Sequence, residues 1–130
     1  MAPLTGEPMP EPHRIILLAH GSSDARWCET FERLAAPTVA SVPGARIAYM
    51  ELADPSLEAM IEEGVWEGSR AFKVVPLFLA AGRHLRKDVP AMIKALEEAH
   101  GVHITLTPPI GENPQLGEAI RKVVEQELAD

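Results

Sequence analysis

Short apolar runs alternate with longer amphipathic stretches along most of the chain, and this alternation constrains the fold more than any other feature of the sequence. The runs cover residues 15–19, 46–50, 72–79 and 102–106, and apolar residues at helical spacing follow each of them. The first run is continuously apolar, as strands buried on both faces of a parallel sheet are. Four successive strand–helix units predict an α/β fold, a three-layer sandwich with a four-stranded parallel sheet and helices on both faces.

Polar residues and prolines indicate where these elements begin and end. The expected helix N-caps are Asp24, Asp54 before Pro55, Asp88, and Asn113 before Pro114. Pro37 is expected to end or kink the first helix. Pro76 lies inside the third run and is unfavourable in a central strand, so regular pairing is expected to loosen there. Residues 77–84 would then form the wall of a site.

Composition restricts the class of protein. At 130 residues the chain has the length of one domain, and its net charge of -7 argues against non-specific nucleic-acid binding, which needs a basic surface. No apolar run approaches the roughly 18 residues of a membrane span. Cys28 is the single cysteine, which excludes an intramolecular disulfide and favours a cytoplasmic protein. Residues 1–12 contain four prolines and are expected to be a disordered leader, not a signal peptide, ahead of one domain at residues 13–130.

Three candidate metal ligands follow three of the predicted strands. His20 ends the first strand, Glu51 ends the second, and His84 lies near the end of the extended third. Ligands of open parallel sheets bind beyond the carboxyl ends of the strands, and a strand order of 2-1-3-4 would make these three ends adjacent. Two imidazoles and a carboxylate suit divalent cobalt, iron, nickel or zinc, whereas magnesium and calcium prefer oxygen ligands.

Each candidate ligand also has a purely structural interpretation, because histidines after strands often bond their own loop and a carboxylate can serve the following turn. His13, His100 and His103 are expected to be structural, and Cys28 is expected to belong to the core. The Gly-Ser segment 21–23 offers backbone N–H groups to an anion at a helix N-terminus. It lacks the lysine and glycine pattern of a P-loop, so no nucleotide cofactor is expected.

Several segments taken together resemble the short form of the CbiX family of class II tetrapyrrole chelatases. The matching segments are LLAHGSSD at residues 17–24, ELADPSL at 51–57, VPLFLAAGRH at 75–84 followed by Asp88-Val89-Pro90, and PIG at 109–111 before Pro114. The resemblance covers residues 14–128. The family often has arginine after its His-Gly-Ser sequence, where this chain has Ser23. The departure concerns an anion contact at that position and leaves the metal ligands unaffected.

The resemblance implies a chelatase α/β fold and the insertion of Co²⁺ or Fe²⁺ into sirohydrochlorin for cobalamin or sirohaem synthesis. By this similarity His20 and His84 are the principal metal ligands and Glu51 assists them. The metal is a substrate, Co²⁺ foremost, with Fe²⁺ or Ni²⁺ as further candidates. The resemblance also implies a homodimer, with the tetrapyrrole in a cleft between the subunits.

Metal insertion requires ligands that can release the ion and a base that removes two pyrrole protons. Neutral imidazole meets both requirements, and the sequence leaves the proton acceptor open among the three candidate ligands. The carboxylates of sirohydrochlorin require a local positive patch in this acidic chain. The candidate substrate-binding residues are Arg83, Arg86 and Lys87 around His84, Arg26 after the first loop, and Ser22. The apolar run 77–81 could form a wall for the macrocycle.

Two other functions use the same residues. A non-catalytic carrier of divalent metals would bind the ion through the same two histidines without turnover. A phosphoryl-transfer enzyme would use His20 as its nucleophile, but it would need several arginines converging on a phosphate. The cationic candidates could also be no more than a solvated surface cluster.

Overall fold

The structure, a computed structural model, describes residues 13–129, and the side chains of His13 and His84 lie outside the described part. The strands are β1 (His13–Ala19), β2 (Ala45–Tyr49), β3 (Ala71–Pro76) and β4 (His103–Leu106). The helices are α1 (Ala25–Ser41), α2 (Leu57–Trp66), α3 (Arg83–His100) and α4 (Pro114–Leu128), and a short 3-10 helix (Ile110–Glu112) precedes α4. The expected leader, residues 1–12, lies outside the described residues.

The strands form one parallel sheet in the order β2-β1-β3-β4, which confirms the predicted sheet and its strand order. Leu17 in the central strand β1 pairs with Ile47 on one side and Val75 on the other. Regular pairing of β3 ends at Pro76, as expected for a residue without an amide hydrogen. β4 is the edge strand that its short alternating sequence predicts.

Alternate residues of β1 face two different layers. Ile16 and Leu18 are fully buried on the side covered by α2 and α3, where most of the core lies. Leu17 points to the opposite side and lines a cavity of about 480 Å³ with Phe31 of α1 and Leu116 of α4. The sheet therefore carries helices on both faces, and the three-layer prediction holds.

The start predicted for α2 is wrong. The helix begins at Leu57, and its N-cap is Ser56, whose Oγ accepts a hydrogen bond from the Ala59 amide at 3.1 Å. The Asp54-Pro55 pair precedes the helix, because the carbonyl of Pro55 accepts a hydrogen bond from the Tyr49 amide at 2.9 Å. This backbone pairing holds residues 54–56 beside the end of β2, so the chain becomes helical only afterwards.

The start predicted for α3 is also wrong, by more than one turn. Gly82 is the N-cap, so Asp88 lies inside the helix and does not cap it. Leu85 is buried in the core below the first turn, and packing of this residue favours a helix that already includes it.

Pro37 does not end α1, which continues to Ser41. The predicted caps Asp24 and Asn113 are confirmed, since each side chain accepts a hydrogen bond from the amide two residues later, at 2.9 Å.

The layer formed by α1 and α4 leaves apolar side chains exposed. We call this surface the α1–α4 face; its residues are Leu34, Leu79, Ile110, Leu116, Ile120, Val123 and Val124. Ile120 and Val123 are each 55% exposed, although they continue the apolar stripe of α4. Packing within residues 13–129 therefore leaves this stripe largely uncovered. Among the helices in these residues, none has the length and apolarity to cross a lipid bilayer.

Candidate metal site at the carboxyl edge of the sheet

Backbone pairing places His20 and Glu51 side by side. Beyond the strands, the Met50 amide donates to the carbonyl of Ala19 at 2.9 Å, and the Glu51 amide donates to the carbonyl of His20 at 3.1 Å. Both side chains are exposed at the carboxyl edge of the sheet. The order of β1 and β2 thus positions one imidazole and one carboxylate as neighbours.

Gly21 allows this close approach of the two segments. Its φ of +102° lies in a region that side-chain-bearing residues rarely adopt, and a Cβ at this position would stand 1.8 Å from the carbonyl oxygen of Glu51. Any other residue would push the loop after β1 away from the loop after β2. Gly21 therefore fixes the spacing between His20 and Glu51.

His20 and Glu51 open onto one cavity of about 280 Å³. Met50, Asp88 and Met92 complete its lining, so α3 contributes one carboxylate and one thioether to the same space. The arrangement offers imidazole nitrogen and carboxylate oxygen, the donors that divalent cobalt, iron, nickel and zinc accept. It is open to solvent on the side of the two exposed candidates.

The backbone of His84 lies in the first turn of α3, four residues before Asp88. Residues four apart share one face of a helix, and Asp88 lines the cavity with His20. The side chain of His84 is outside the described part of the chain, so its role as a metal ligand stays a prediction.

The ring of Phe78 packs against one face of the His20 imidazole. The two rings are stacked with their centroids 4.2 Å apart and an angle of 2° between their planes. Phe78 is buried in the core under α3, so it presents a rigid surface to the imidazole. This contact restricts the tilt of a candidate metal ligand whose other side is exposed.

The cationic candidates for substrate binding lie around the site and not within it. Arg83, Arg86 and Lys87 are exposed in the first turns of α3, and Arg26 is exposed in the first turn of α1. None of them is among the residues that line the cavity of His20. Ser22 lies in the loop after β1, and its Oγ accepts a hydrogen bond from the backbone amide two residues on, at 3.0 Å. A substrate-binding role for these five residues stays a prediction.

Tyr49 anchors the end of β2 directly before the site. Its side chain is fully buried, and its hydroxyl lies 3.2 Å from Oε2 of Glu32 and 3.4 Å from the carbonyl oxygen of Cys28, both on α1. Burial, followed by the negative charge of Glu32, raises the pKa of the Tyr49 phenol far above its ordinary value. The neutral phenol thus fixes the strand that carries Glu51 to the first helix.

Phe78, Asp88 and Met92 surround the site in the structure, but the sequence did not place them beside the candidate metal ligands. Asp88 was interpreted as a helix cap, a function that its residue type suits equally well. Had α3 been predicted from Arg83, the four-residue spacing between His84 and Asp88 would have placed both on one helix face. Nothing in the sequence pairs Phe78 with His20, because their contact depends on how the loop after β3 folds back.

The fold and the site together define a class: an open α/β protein with a parallel sheet, whose carboxyl edge presents an imidazole and a carboxylate to one accessible cavity. The family model CbiX matches residues 14–127. This match spans nearly all of the described chain, and the protein belongs to the CbiX family.

Individual relatives agree with this assignment. A sirohydrochlorin cobaltochelatase of Sulfurisphaera tokodaii is 30% identical over 114 residues, which cover 88% of this chain and 92% of the relative. The crystal structure of a CbiX protein from Marinobacter aquaeolei VT8 superposes with a TM-score of 0.89 at 67% identity, covering 91% of this chain and 96% of that one. The sirohydrochlorin chelatase SirB of Bacillus subtilis subspecies spizizenii, in complex with cobalt, superposes with a TM-score of 0.71 at 25% identity. That match covers 88% of this chain but 50% of SirB.

Proposed function

We propose that the protein inserts Co²⁺ or Fe²⁺ into sirohydrochlorin without a nucleotide cofactor, as a sirohydrochlorin chelatase. The observation that carries this proposal is the convergence of His20 and Glu51 on one open cavity, in a chain similar to sirohydrochlorin chelatases. The donor set accepts cobalt, iron and nickel alike, so the metal is a substrate whose identity depends on supply. The single cysteine fits a reducing compartment, and we expect the protein to act in the cytoplasm.

The metal is held first by the protein. In the proposed mechanism His20 and His84 are the principal ligands, and Glu51 is the third. Three protein ligands leave coordination positions open, as catalytic metal sites require. A pyrrole nitrogen can then enter the coordination sphere from the exposed side while protein ligands leave one at a time.

Insertion also releases two pyrrole protons. A neutral imidazole that has given up the metal is a base of suitable strength, and a carboxylate can take the same role. His20, His84 and Glu51 are the candidates for this proton transfer. Phe78 keeps the His20 ring in one plane during these steps, which lowers the cost of returning it to the metal.

The substrate is bound at the mouth of the cavity. We assign its carboxylates to Arg83, Arg86 and Lys87 on α3, together with Arg26 on α1, because guanidinium groups bind carboxylates in bidentate fashion. Within the run 77–81, Leu79 and Ala80 are exposed and offer apolar surface to the macrocycle. Ser22 adds a hydroxyl in the loop that follows β1.

The functional unit in this proposal is a homodimer formed through the α1–α4 face. Ile120 and Val123 are half or more exposed there, beside a cavity of about 480 Å³ with an apolar lining. Contiguous exposed apolar surface of this kind is typical of protein–protein interfaces. SirB has about twice the length matched by this chain, so a second copy would supply the half that SirB carries in one polypeptide.

Anaerobic incubation with sirohydrochlorin and Co²⁺ or Fe²⁺, followed by absorbance spectra, tests the proposal directly. The wild-type protein should convert the metal-free spectrum into that of the metallated product faster than the uncatalysed reaction. His84→Ala should abolish this acceleration, and Arg83→Ala should mainly raise the KM for the tetrapyrrole. His103→Ala is the matched control, because His103 is an exposed histidine at the start of the edge strand.

The same experiment separates the chelatase from a metal carrier. A carrier would bind Co²⁺ and leave the tetrapyrrole spectrum unchanged at every protein concentration. Intact acceleration in His84→Ala would remove that residue from the mechanism.

A further inference from the structure

A second group of potential metal ligands lies between α2 and α3. Glu58 and Glu62 on α2 and His100 at the end of α3 each place one donor atom within 4.8 Å of the others. The two glutamates are four residues apart, so they share one face of α2, and both are exposed. We call this group the outer site.

The imidazole of His100 is the unusual member of the group. Its Nε2 atom is enclosed by protein and has no hydrogen bond partner within residues 13–129, although the side chain as a whole is 18% exposed. The nearest carboxylate oxygen, Oε2 of Glu58, is 3.9 Å away, too far for a hydrogen bond. Leaving a buried polar nitrogen unsatisfied is unfavourable, so this position calls for a ligand.

We propose that the outer site binds one divalent transition-metal cation through Glu58, Glu62 and His100. One imidazole and two carboxylates match the preferences of Co²⁺, Fe²⁺, Ni²⁺ and Zn²⁺. A cation would satisfy Nε2 and relieve the repulsion between two carboxylates on adjacent turns of one helix. From the sequence His100 was interpreted as structural, because it lies near a helix C-terminus. Its partners in the outer site come from a helix some forty residues earlier.

The position of the outer site suggests its use. Glu58 lines a groove of about 390 Å³ between α2 and α3, and Met50 and Met92 form part of the same groove. Those two methionines also line the cavity of His20 and Glu51, so the groove and the cavity share a wall. Thioether side chains are flexible and polarisable, and they can move aside for a soft cation.

The outer site therefore holds the metal before it passes to the carboxyl edge of the sheet. This loading role rests on the proposed function, whereas binding of a cation at the outer site does not. The two statements are tested separately.

Binding is tested by calorimetric titration with Co²⁺ in a background that removes all three proposed ligands at the edge of the sheet, His20→Ala with Glu51→Gln and His84→Ala. The outer site predicts that one saturable Co²⁺ remains and that adding Glu62→Gln or His100→Gln weakens it at least tenfold. Glu29→Gln removes the same charge from exposed α1 and should leave the isotherm unchanged. Absence of saturable binding in the background variant, or an isotherm unaffected by Glu62→Gln, overturns the site. Glu62 is exposed, so this decisive variant does not depend on refolding of the core.

Loading is tested by kinetics in the otherwise wild-type protein. Glu62→Gln should raise the half-saturating Co²⁺ concentration several-fold and leave both kcat and the KM for the tetrapyrrole unchanged. A structural role would lower the Tm or kcat and would not change the metal dependence alone. If Glu62→Gln loses Co²⁺ binding at the outer site but keeps the half-saturating Co²⁺ concentration of the wild type, the loading role is overturned. If the wild-type protein inserts no metal, the proposed function fails, and the titration still decides the outer site.

Discussion

Replacing Phe78 by leucine should weaken metal binding. The loss of affinity should exceed that of a core variant that loses the same unfolding free energy. The substitution keeps an apolar side chain under α3 but removes the ring that lies 4.2 Å from the His20 imidazole at an angle of 2°. Stacked aromatic pairs contribute about 0.5–1.5 kcal/mol beyond the area they bury. If that energy orients His20 for the metal, the Kd for Co²⁺ should rise roughly two- to twelve-fold.

The matched control is Phe72→Leu, which alters a phenylalanine buried in the same core on β3. Each variant should lose about 1 kcal/mol of unfolding free energy, measured by urea denaturation, because a well-packed core tolerates changes of shape imperfectly. Co²⁺ titration should then separate them, because Phe78 stacks on the His20 imidazole and Phe72 has no such ring contact in the part of the chain that the structure describes. Equal Co²⁺ affinities in the two variants and the wild type would falsify the orienting role of the stack.

Three further outcomes follow from the structure. Gly21→Ala and Gly68→Ala both place a side chain at positive φ, costing about 1–2 kcal/mol each. Only the Cβ at residue 21 meets a backbone oxygen, at 1.8 Å, so only Gly21→Ala should also abolish Co²⁺ binding at the carboxyl edge of the sheet. Tyr49 is the single tyrosine, so ultraviolet titration of the folded protein should show no phenol ionising near pH 10. Because the unfolded phenol ionises there and the folded one does not, unfolding free energy should be unaffected below about pH 10 and should fall above it. If the α1–α4 face forms the proposed homodimer, Val123→Glu should give a monomer in light scattering, whereas Lys122→Glu, which lies away from the apolar stripe of α4, should leave the dimer intact.

The strands of this fold are predictable from sequence because each is an uninterrupted apolar run between polar segments. The helix starts are less predictable, because capping residues indicate where a helix can begin and tertiary packing decides where it does. Asp54-Pro55 has the right chemistry for a start, yet the hydrogen bond from the Tyr49 amide holds that segment against β2. Asp88 could also cap a helix, but burial of Leu85 extends α3 by more than a turn before it.

The candidate site was predictable in part for the same reason. Once the strand order was inferred, the ends of β1 and β2 had to be adjacent, so the neighbouring positions of His20 and Glu51 required no side-chain information. The positions of Phe78 and Asp88 could not be predicted without side-chain information. The position of Phe78 depends on a loop that turns under the imidazole, and that of Asp88 on the phase of a helix whose N-cap was misplaced by six residues.

The size of the cavity at the sheet edge limits how a chelatase of this form can hold its substrate. Its volume of about 280 Å³ lies below the range of about 300–1,000 Å³ that encloses drug-sized ligands, and a tetrapyrrole with many carboxylate arms is larger still. In the proposed reaction the cavity therefore admits the metal alone, and the macrocycle lies across the mouth. Exposure of His20 and Glu51 then becomes a requirement, because ligands enclosed in the core could not present a bound ion to the face of a ring outside it. In this proposal the exposed side chains of Arg83, Arg86 and Lys87 on α3 would bind the carboxylate arms, and a second subunit would supply the wall that one copy lacks.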